Sequence, residues 1–477
     1  MDGTHISQGT GAPPRAHGRR GRRQRAGGFA LHMGFVGVEL RKIARMPLVW
    51  SIVIVFAFAN LTGIASAHAQ PNIVARHNYA GAVTLTIGGR VGPDFDRALA
   101  RVSAGEDAVA TDTGTTGTTD TTGATAADET TAATVPEATD DATATAAANA
   151  PIIIDARIPA DSTMDADQLH RQLTAVTRGA TNTLDLYAAS GGPGMLREWA
   201  LAQTAGDPVA TWLMQRKYDL YDLRVAHLAA TGAAMDLAAG SATDPTLIYW
   251  FRMTGYLFFE TCAMAVLLMA LTLGYERTAR IEQLMMATRV GRRLAGPKVL
   301  AGLIAAVTAF ALLTAAVVVP YLMLFDVRGV WGASMASQFN TVFGSEPFVT
   351  WWDMTIGQYL FARLGLGLAL TVCFSLATAA VALVVRNTYA VAGVVFAGVL
   401  AVAGMVGAGH MLGLPWLTWA AGLNPVGVLM LRERWFTELG LDAPTAFWET
   451  GVTALSLAYL LAASLWARRA FRRRDLT

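Results

Sequence analysis

Six apolar runs decide what this chain can fold into. They are Leu48–Ile64, Leu247–Tyr275, Val299–Phe325, Ile356–Val385, Tyr389–Leu412 and Trp448–Trp466. Each is close to, or longer than, the roughly 20 residues that a helix needs to cross a bilayer. In hydrocarbon the backbone must satisfy its own N–H and C=O groups, so such runs become helices. The charge content agrees: 15% of the residues are charged, against roughly 25% in a soluble domain. The expected fold class is an all-α membrane protein with six transmembrane helices. A mostly helical external domain is expected between spans one and two. The two cysteines, Cys262 and Cys373, lie inside apolar runs. They read as small packing residues, with no disulfide framework or CxxC metal site.

The loops between the runs set the orientation. Residues 1–46 carry nine basic and two acidic side chains, 275–298 six and two, and 468–477 five and one. Short basic segments stay in the cytoplasm. Six spans with both termini cytoplasmic place all three on one side. The segment 68–246 carries 22 acidic and 11 basic residues, and falls on the outside.

Residues 1–34 are Gly- and Arg-rich, with RRGRRQR at Arg19–Arg25, and read as a disordered basic cytoplasmic tail. In 35–67 an interfacial helix leads into span one. Val36, Leu40 and Ile43 share one face, with Glu39, Arg41, Lys42 and Arg45 opposite, and Pro47 closes the helix. Ala65-Ser66-Ala67 and Ala67-His68-Ala69 match the small-x-small pattern of a signal-peptidase site. A lead of 46 residues and an amphipathic helix inside it favour retention of the span.

In the external domain, 68–246, the tract 102–150 is rich in Thr, Ala, Asp and Gly and lacks large apolar residues. It has too little to bury to offset its ordering entropy and is expected to be disordered. The β-rich runs Ala82–Ile87 and Pro151–Ile158 flank it and are placed to pair. Ala166–Tyr187, Met195–Gln203 and Asp207–Ala239 read as helices, Asp207-Pro208 being a good helix start. Trp199, Trp212, Leu213, Tyr218, Tyr221 and Leu223 are the candidates for a small core.

The segment 247–477 holds spans two to six. Within it, Tyr275–Lys298 (YERTARIEQLMMATRVGRRLAGPK) joins spans two and three. Ile281, Leu284, Met285 and Thr288 follow i, i+3, i+4, i+7 spacing, which gives a short amphipathic helix at the cytoplasmic surface. Seated in headgroups it is an interfacial helix; facing a partner it is a docking element. Between spans five and six, 413–447 carries LPWLTWAAGLNPVGVLML. Pro415 and Asn424-Pro425 cut it into pieces too short to span, as in an external re-entrant element.

This order of elements resembles the permease subunit of the ABC-2 type transporter family over both membrane portions, but not over the external domain. The amphipathic ELRKIARMP lead is similar to that family's elbow helix. Glu276, Arg277, Glu282, Leu284, Thr288, Arg292 and Lys298 fit the family's pattern in the first cytoplasmic loop. The family's Gly and Pro are absent there; Ala279 or Arg280, and Arg289, stand near those places. The Asn424-Pro425 segment is similar to the family's re-entrant helices. The resemblance implies that 276–298 is a coupling helix, Arg293 included, that docks on a cytoplasmic ATPase. It also implies a homodimer or a pairing with a paralogous permease, in the plasma membrane of a bacterium among its lipids. No GxxxxGK[ST] phosphate loop is present. ATP and Mg would therefore sit on a separate ATPase, with no cofactor on this chain. No enzymatic role and no nucleic-acid partner are expected.

Arg252 and Glu260 in span two and Arg363 in span four are ionisable residues inside apolar runs. Charges at that depth pair or face a cavity. A Glu260–Arg363 pair is expected, either as an interhelical clamp or as a polar gate. His410 reads as a satisfied interface residue. The leading function is an ATP-driven permease, of the exporter kind. The alternative is a non-transporting membrane receptor or scaffold whose external domain binds a ligand or a cell-wall component. A secondary transporter is disfavoured, because the chain has no internal repeat and few intramembrane charges.

Overall fold

The computed structural model describes residues 34–69, 84–90, 153–157, 192–233, 236–238, 240–279, 281, 294–324, 331–332, 334–337, 348–385 and 387–473. The expectations for the basic tail up to residue 33, the 102–150 tract and an Ala166–Tyr187 helix lie outside these residues. Six helices are long and apolar enough to cross a membrane. They are span 1 (Pro47–Ala69), span 2 (Gly240–Thr278), span 3 (Ala295–Leu324), span 4 (Ile356–Val384), span 5 (Thr388–Met411) and span 6 (Trp448–Arg473). The chain is a multi-pass membrane protein.

Spans 2 and 4 form the centre. Span 2 packs on spans 3 and 4, and span 4 on span 6. In an 18-residue apolar stretch of span 2 67% of the residues are buried, in that of span 4 61%, and in that of span 5 6%. Apolar side chains gain little by leaving lipid, so contact quality holds the bundle together. The main core joins Trp250, Phe251, Phe258, Tyr359, Phe374 and Trp435. Phe258 stacks on Trp435 at 5.1 Å between ring centroids. Span 4 approaches this stack through Gly367, where an added Cβ would run into the Phe258 ring.

Hydroxyls inside the bundle are satisfied locally. Thr254, Thr272, Thr371, Ser375 and Thr378 each donate to the carbonyl four residues back in their own helix. Thr371 Oγ1 also lies 3.3 Å from Thr261 Oγ1 across the span 2–span 4 contact. Ser464 Oγ ties span 6 to span 4 through the Leu376 carbonyl at 2.8 Å.

Span 4 begins with a full capping box. Thr355 accepts from the Gln358 amide, and Gln358 accepts from the Thr355 amide. The segment after span 5 breaks as its prolines require. Two short helices, Pro415–Gly422 and Pro425–Met430, each carry a proline in the first turn. Asn424 accepts from the amides of Val426 and Gly427 to start the second. The two helices close so tightly that a Cβ on Gly427 would collide with Gly422 backbone.

Between spans 1 and 2, the helices Gly192–Thr204 and Pro208–Thr231 pack on one another. Asp207 caps the second through the Val209 and Ala210 amides. That helix stops at Thr231, short of the expected Ala239. Gly232 takes a left-handed conformation (φ 68°) and donates to the Ala229 carbonyl. The two β-rich runs do pair: β1 (Thr84–Arg90) lies antiparallel to β2 (Ile153–Arg157), with Thr84 opposite Arg157. A third strand, β3 (Asp236–Ala238), flanks β1 on its other edge.

The helix pair has no separate core. Its buried Met214, Tyr218, Tyr221 and Leu228 join Ala336, Val349 and Trp351 from the loop before span 4 and Trp419 from the Pro415–Gly422 helix. Trp199, Trp212 and Leu223, expected in that core, are exposed instead.

Candidate functional site

The lead helix spans residues 34–44. It buries Val36 and Ile43 as its pattern requires, and Glu39 with them. Glu39 turns inward because Lys42, one turn on, bridges it to the bundle. Lys42 Nζ donates to Glu39 Oε1 at 3.0 Å and lies 3.4 Å from Glu276 Oε1. Glu276, in the last turn of span 2, also accepts from Lys298 Nζ in the first turn of span 3. The result is an alternating chain, Glu39–Lys42–Glu276–Lys298, with no net charge. Burial pulls the Lys42 ammonium pKa down, but its bonds and attraction to Glu39 and Glu276 prevail and hold it above its ordinary value.

Arg277, the next residue, reaches the opposite way. Its Nη1 donates to the carbonyls of Ala382 and Val385 at 3.1 and 2.7 Å, closing the carbonyl end of span 4. Span 2 then unwinds through a wide turn in which the Ile281 amide donates to the Glu276 carbonyl at 2.9 Å. Across from it, the Arg468 guanidinium of span 6 lies on Gly296, where a Cβ would strike it. Both stems of the 276–298 loop are thus held to the lead helix and to spans 4 and 6. Of the expected coupling residues, Glu276 and Arg277 are placed here. Glu282, Leu284, Thr288, Arg292 and Arg293 lie outside the described residues.

The charges within the membrane are arranged differently from expectation. The Glu260–Arg363 pair does not form. Glu260 Oε2 accepts from Asn60 Nδ2 of span 1 at 2.6 Å. Arg363 is fully buried; its Nη2 donates to the Phe251 carbonyl at 3.1 Å, and its guanidinium sits over the Phe251 ring at 4.4 Å. Helix geometry explains the separation. Arg363 meets span 2 on the face of Phe251 and Phe258, and Glu260 is turned roughly 200° from Phe258. Arg252 is exposed. His410 is half-exposed and meets Asp442, Nε2 to Oδ1, at 2.5 Å.

At the end of the bundle away from Glu276, a second buried network fixes the Pro208–Thr231 helix. Lys217, 1% exposed, donates to the carbonyls of Gly440 and Ala443 and lies 3.6 Å from Glu438 Oε2. Tyr218 Oη donates to the same carboxylate at 3.1 Å. Arg224 donates to the Thr350 carbonyl at 2.8 Å and pairs with Asp353. Burial pushes the Lys217 pKa down to about 8, against the pull of Glu438.

Sequence reasoning missed Lys42, Asn60 and Lys217 as partners. Lys42 had a local signal, its spacing of three from Glu39. Asn60 and Lys217 had none, because their partners lie 200 and more residues away. Among the described residues, no group of three or more His, Cys, Asp or Glu side chains is placed to hold a metal ion. Comparisons of the chain with models of known protein families, with curated proteins and with solved structures found no match.

Proposed function

We propose that this chain is the membrane-spanning permease subunit of an ATP-binding cassette exporter of the ABC-2 type. Its ATP and Mg would sit on a separate cytoplasmic ATPase. Two copies, or this chain and a paralogue, would line the pathway in a bacterial plasma membrane, with both termini in the cytoplasm. The observation that carries the reading is the charge chain Glu39–Lys42–Glu276–Lys298. It binds the lead helix and both stems of the 276–298 loop into one unit. A partner pushing on that loop would move spans 2 and 3 together, and the lead helix with them. A loop that only rested in headgroups would have no use for such stapling. Arg277 extends the unit to span 4, so that the push would reach the centre of the bundle.

Co-expression with the cognate ATPase tests the reading. The expected outcome is copurification through detergent and ATP hydrolysis by the complex. Glu276→Ala combined with Arg292→Ala is expected to abolish both. If assembly and hydrolysis persist unchanged in that double variant, the coupling role is wrong. Deleting 68–246 separates the receptor alternative, which requires the isolated segment to retain ligand binding.

A further inference from the structure

Three arginines surround one stretch of span 2 near its Trp250 end, and their charge is mostly unanswered. Arg363 approaches from span 4. Of its donors only Nη2 has a partner, the Phe251 carbonyl; Nε and Nη1 have none, although the side chain is fully buried. Arg432 follows the Pro425–Met430 helix. It lies along the neighbouring flank of span 2, roughly 70° round the helix from Arg363, with its guanidinium over the Phe259 ring at 4.5 Å and its Nε against Gly255. The Arg432 Nε is also without a partner. Arg252 is exposed and stands on the face that Gly255 and Phe259 share, at i, i+3 and i+7.

Among the described residues, the carboxylate within ion-pair reach of these three is Glu433. It is 3.5 Å from Arg432 and itself 54% exposed. Glu260, the acid closest in sequence, is turned to Asn60, and Glu438 is taken by Lys217, Tyr218 and Arg434. Buried or half-buried cations at membrane depth are normally paired. Here the aromatic faces of Phe251 and Phe259 offset part of the cost, and the rest is unmet among the described residues. Two features fit one class of ligand. Guanidinium groups grip oxyanions with paired N–H donors. Directly along the same face, Tyr256 and Phe259 are exposed apolar rings (52% and 43%), within the Trp250–Thr278 membrane segment.

We infer that Arg252 and Arg432 form a binding site for the phosphate headgroup of an anionic lipid or lipid-linked molecule. Its tail runs along Tyr256 and Phe259, and Arg363 reinforces the field from the neighbouring flank of span 2. Headgroup and tail are then met by one helix face. Gly255 is what allows the site, since a Cβ there would sit 3.0 Å from Arg432 Nε. The site does not depend on the chain being a permease.

The test uses the full-length protein in lipid nanodiscs and in detergent, read by native mass spectrometry and thermal melting. Wild type is expected to retain and be stabilised by phosphatidylglycerol over phosphatidylcholine. Arg252→Gln/Arg432→Gln is expected to lose that preference, with affinity for phosphatidylglycerol down about tenfold or more, as for a lost charge-assisted contact. Arg469→Gln/Arg473→Gln, at the other end of the bundle, should leave it unchanged. Equal retention of the two lipids by wild type, or an unaltered preference in the Arg252/Arg432 variant, overturns the site. Stabilisation by inorganic phosphate that equals that by phosphatidylglycerol overturns the lipid part of it. If the double variant does not fold, Arg252→Gln alone, at an exposed position, is expected to weaken the preference severalfold, and no change there overturns the proposal.

Discussion

The two ends of span 2 treat charge in opposite ways. At Glu276 two carboxylates and two ammonium groups alternate and cancel, and the lead helix and span 3 supply the partners. At Arg252 three guanidinium groups gather round one helical stretch, with a single half-exposed carboxylate beside them among the described residues. One helix and one apolar run thus end in a closed arrangement and in an open one. A closed arrangement is a fixture of the fold. An open one leaves room for a ligand, and its charge sets the kind of ligand that fits.

The largest expected effect tests the closed end. Lys298→Ala leaves Glu276 buried beside Lys42 alone, and is expected to destabilise the detergent-purified protein by about 3–5 kcal/mol, read by thermal melting. The swap Glu276→Lys/Lys298→Glu should recover little, because it sets a lysine against Lys42. Full recovery would show that Lys42 takes no part.

Lys217 supplies a control on the open end, since it too is buried but has acceptors. Lys217→Met is expected to cost about 2–4 kcal/mol, by stranding the Gly440 and Ala443 carbonyls. It should also change the pH profile. The folded Lys217 titrates near 8 and the unfolded one near 10.5. Between these values the unfolded chain holds a proton that the folded one has released, so wild-type stability gains with rising pH across that window. Relative to wild type, Lys217→Met should lack this gain. A parallel profile for the two proteins would mean that the buried ammonium is not held down.

Asn60→Ala removes the partner of Glu260 and is expected to cost about 0.6–1.7 kcal/mol, the ordinary range for a hydrogen bond between membrane helices. The smallest effect is expected at Arg432→Gln in lipid-free detergent, within about 0.5 kcal/mol of wild type, because no internal ion pair with a buried acid is lost. A loss as large as that of Lys298→Ala would give Arg432 a partner inside the fold and dissolve the contrast between the two ends.

Much of the architecture could be read from the chain. The six runs emerged as helices, because a bilayer leaves apolar backbone no other choice; spans 3, 4 and 5 end within four residues of expectation, whereas span 2 starts seven residues earlier and span 6 ends seven later. Pro415 and Pro425 marked the short broken helices, and Asp207 the start of the next-to-bundle helix. Azimuth was not readable. Glu260 and Arg363 looked matched in depth, yet two residues along a helix separate Glu260 from Phe258 by more than half a turn. Nor could burial be read from hydropathy. Spans 2 and 5 are of similar mean hydropathy, 2.0 and 2.3, but one is the centre of the bundle and the other is nearly bare. Trp199 and Trp212 misled for a related reason. The core they were expected to fill is built from Trp351 and Trp419, more than 100 residues away.

Span 2 is also long. Its 39 residues, at about 1.5 Å each, make a continuous rod of roughly 58 Å, nearly twice the ~30 Å hydrocarbon core. Its one proline, Pro245, stands in its second turn, and none follows from Thr246 to Thr278. Such a rod works as a lever whose membrane segment, Trp250–Thr278, reaches the Glu276 end and leaves the Gly240 end as the long free arm. A tilt of about 10° imposed at Glu276 would carry the Gly240 end sideways by roughly 10 Å for that length. Motion pivoting at the Glu276 end is then largest beside β3, and smaller at the arginines.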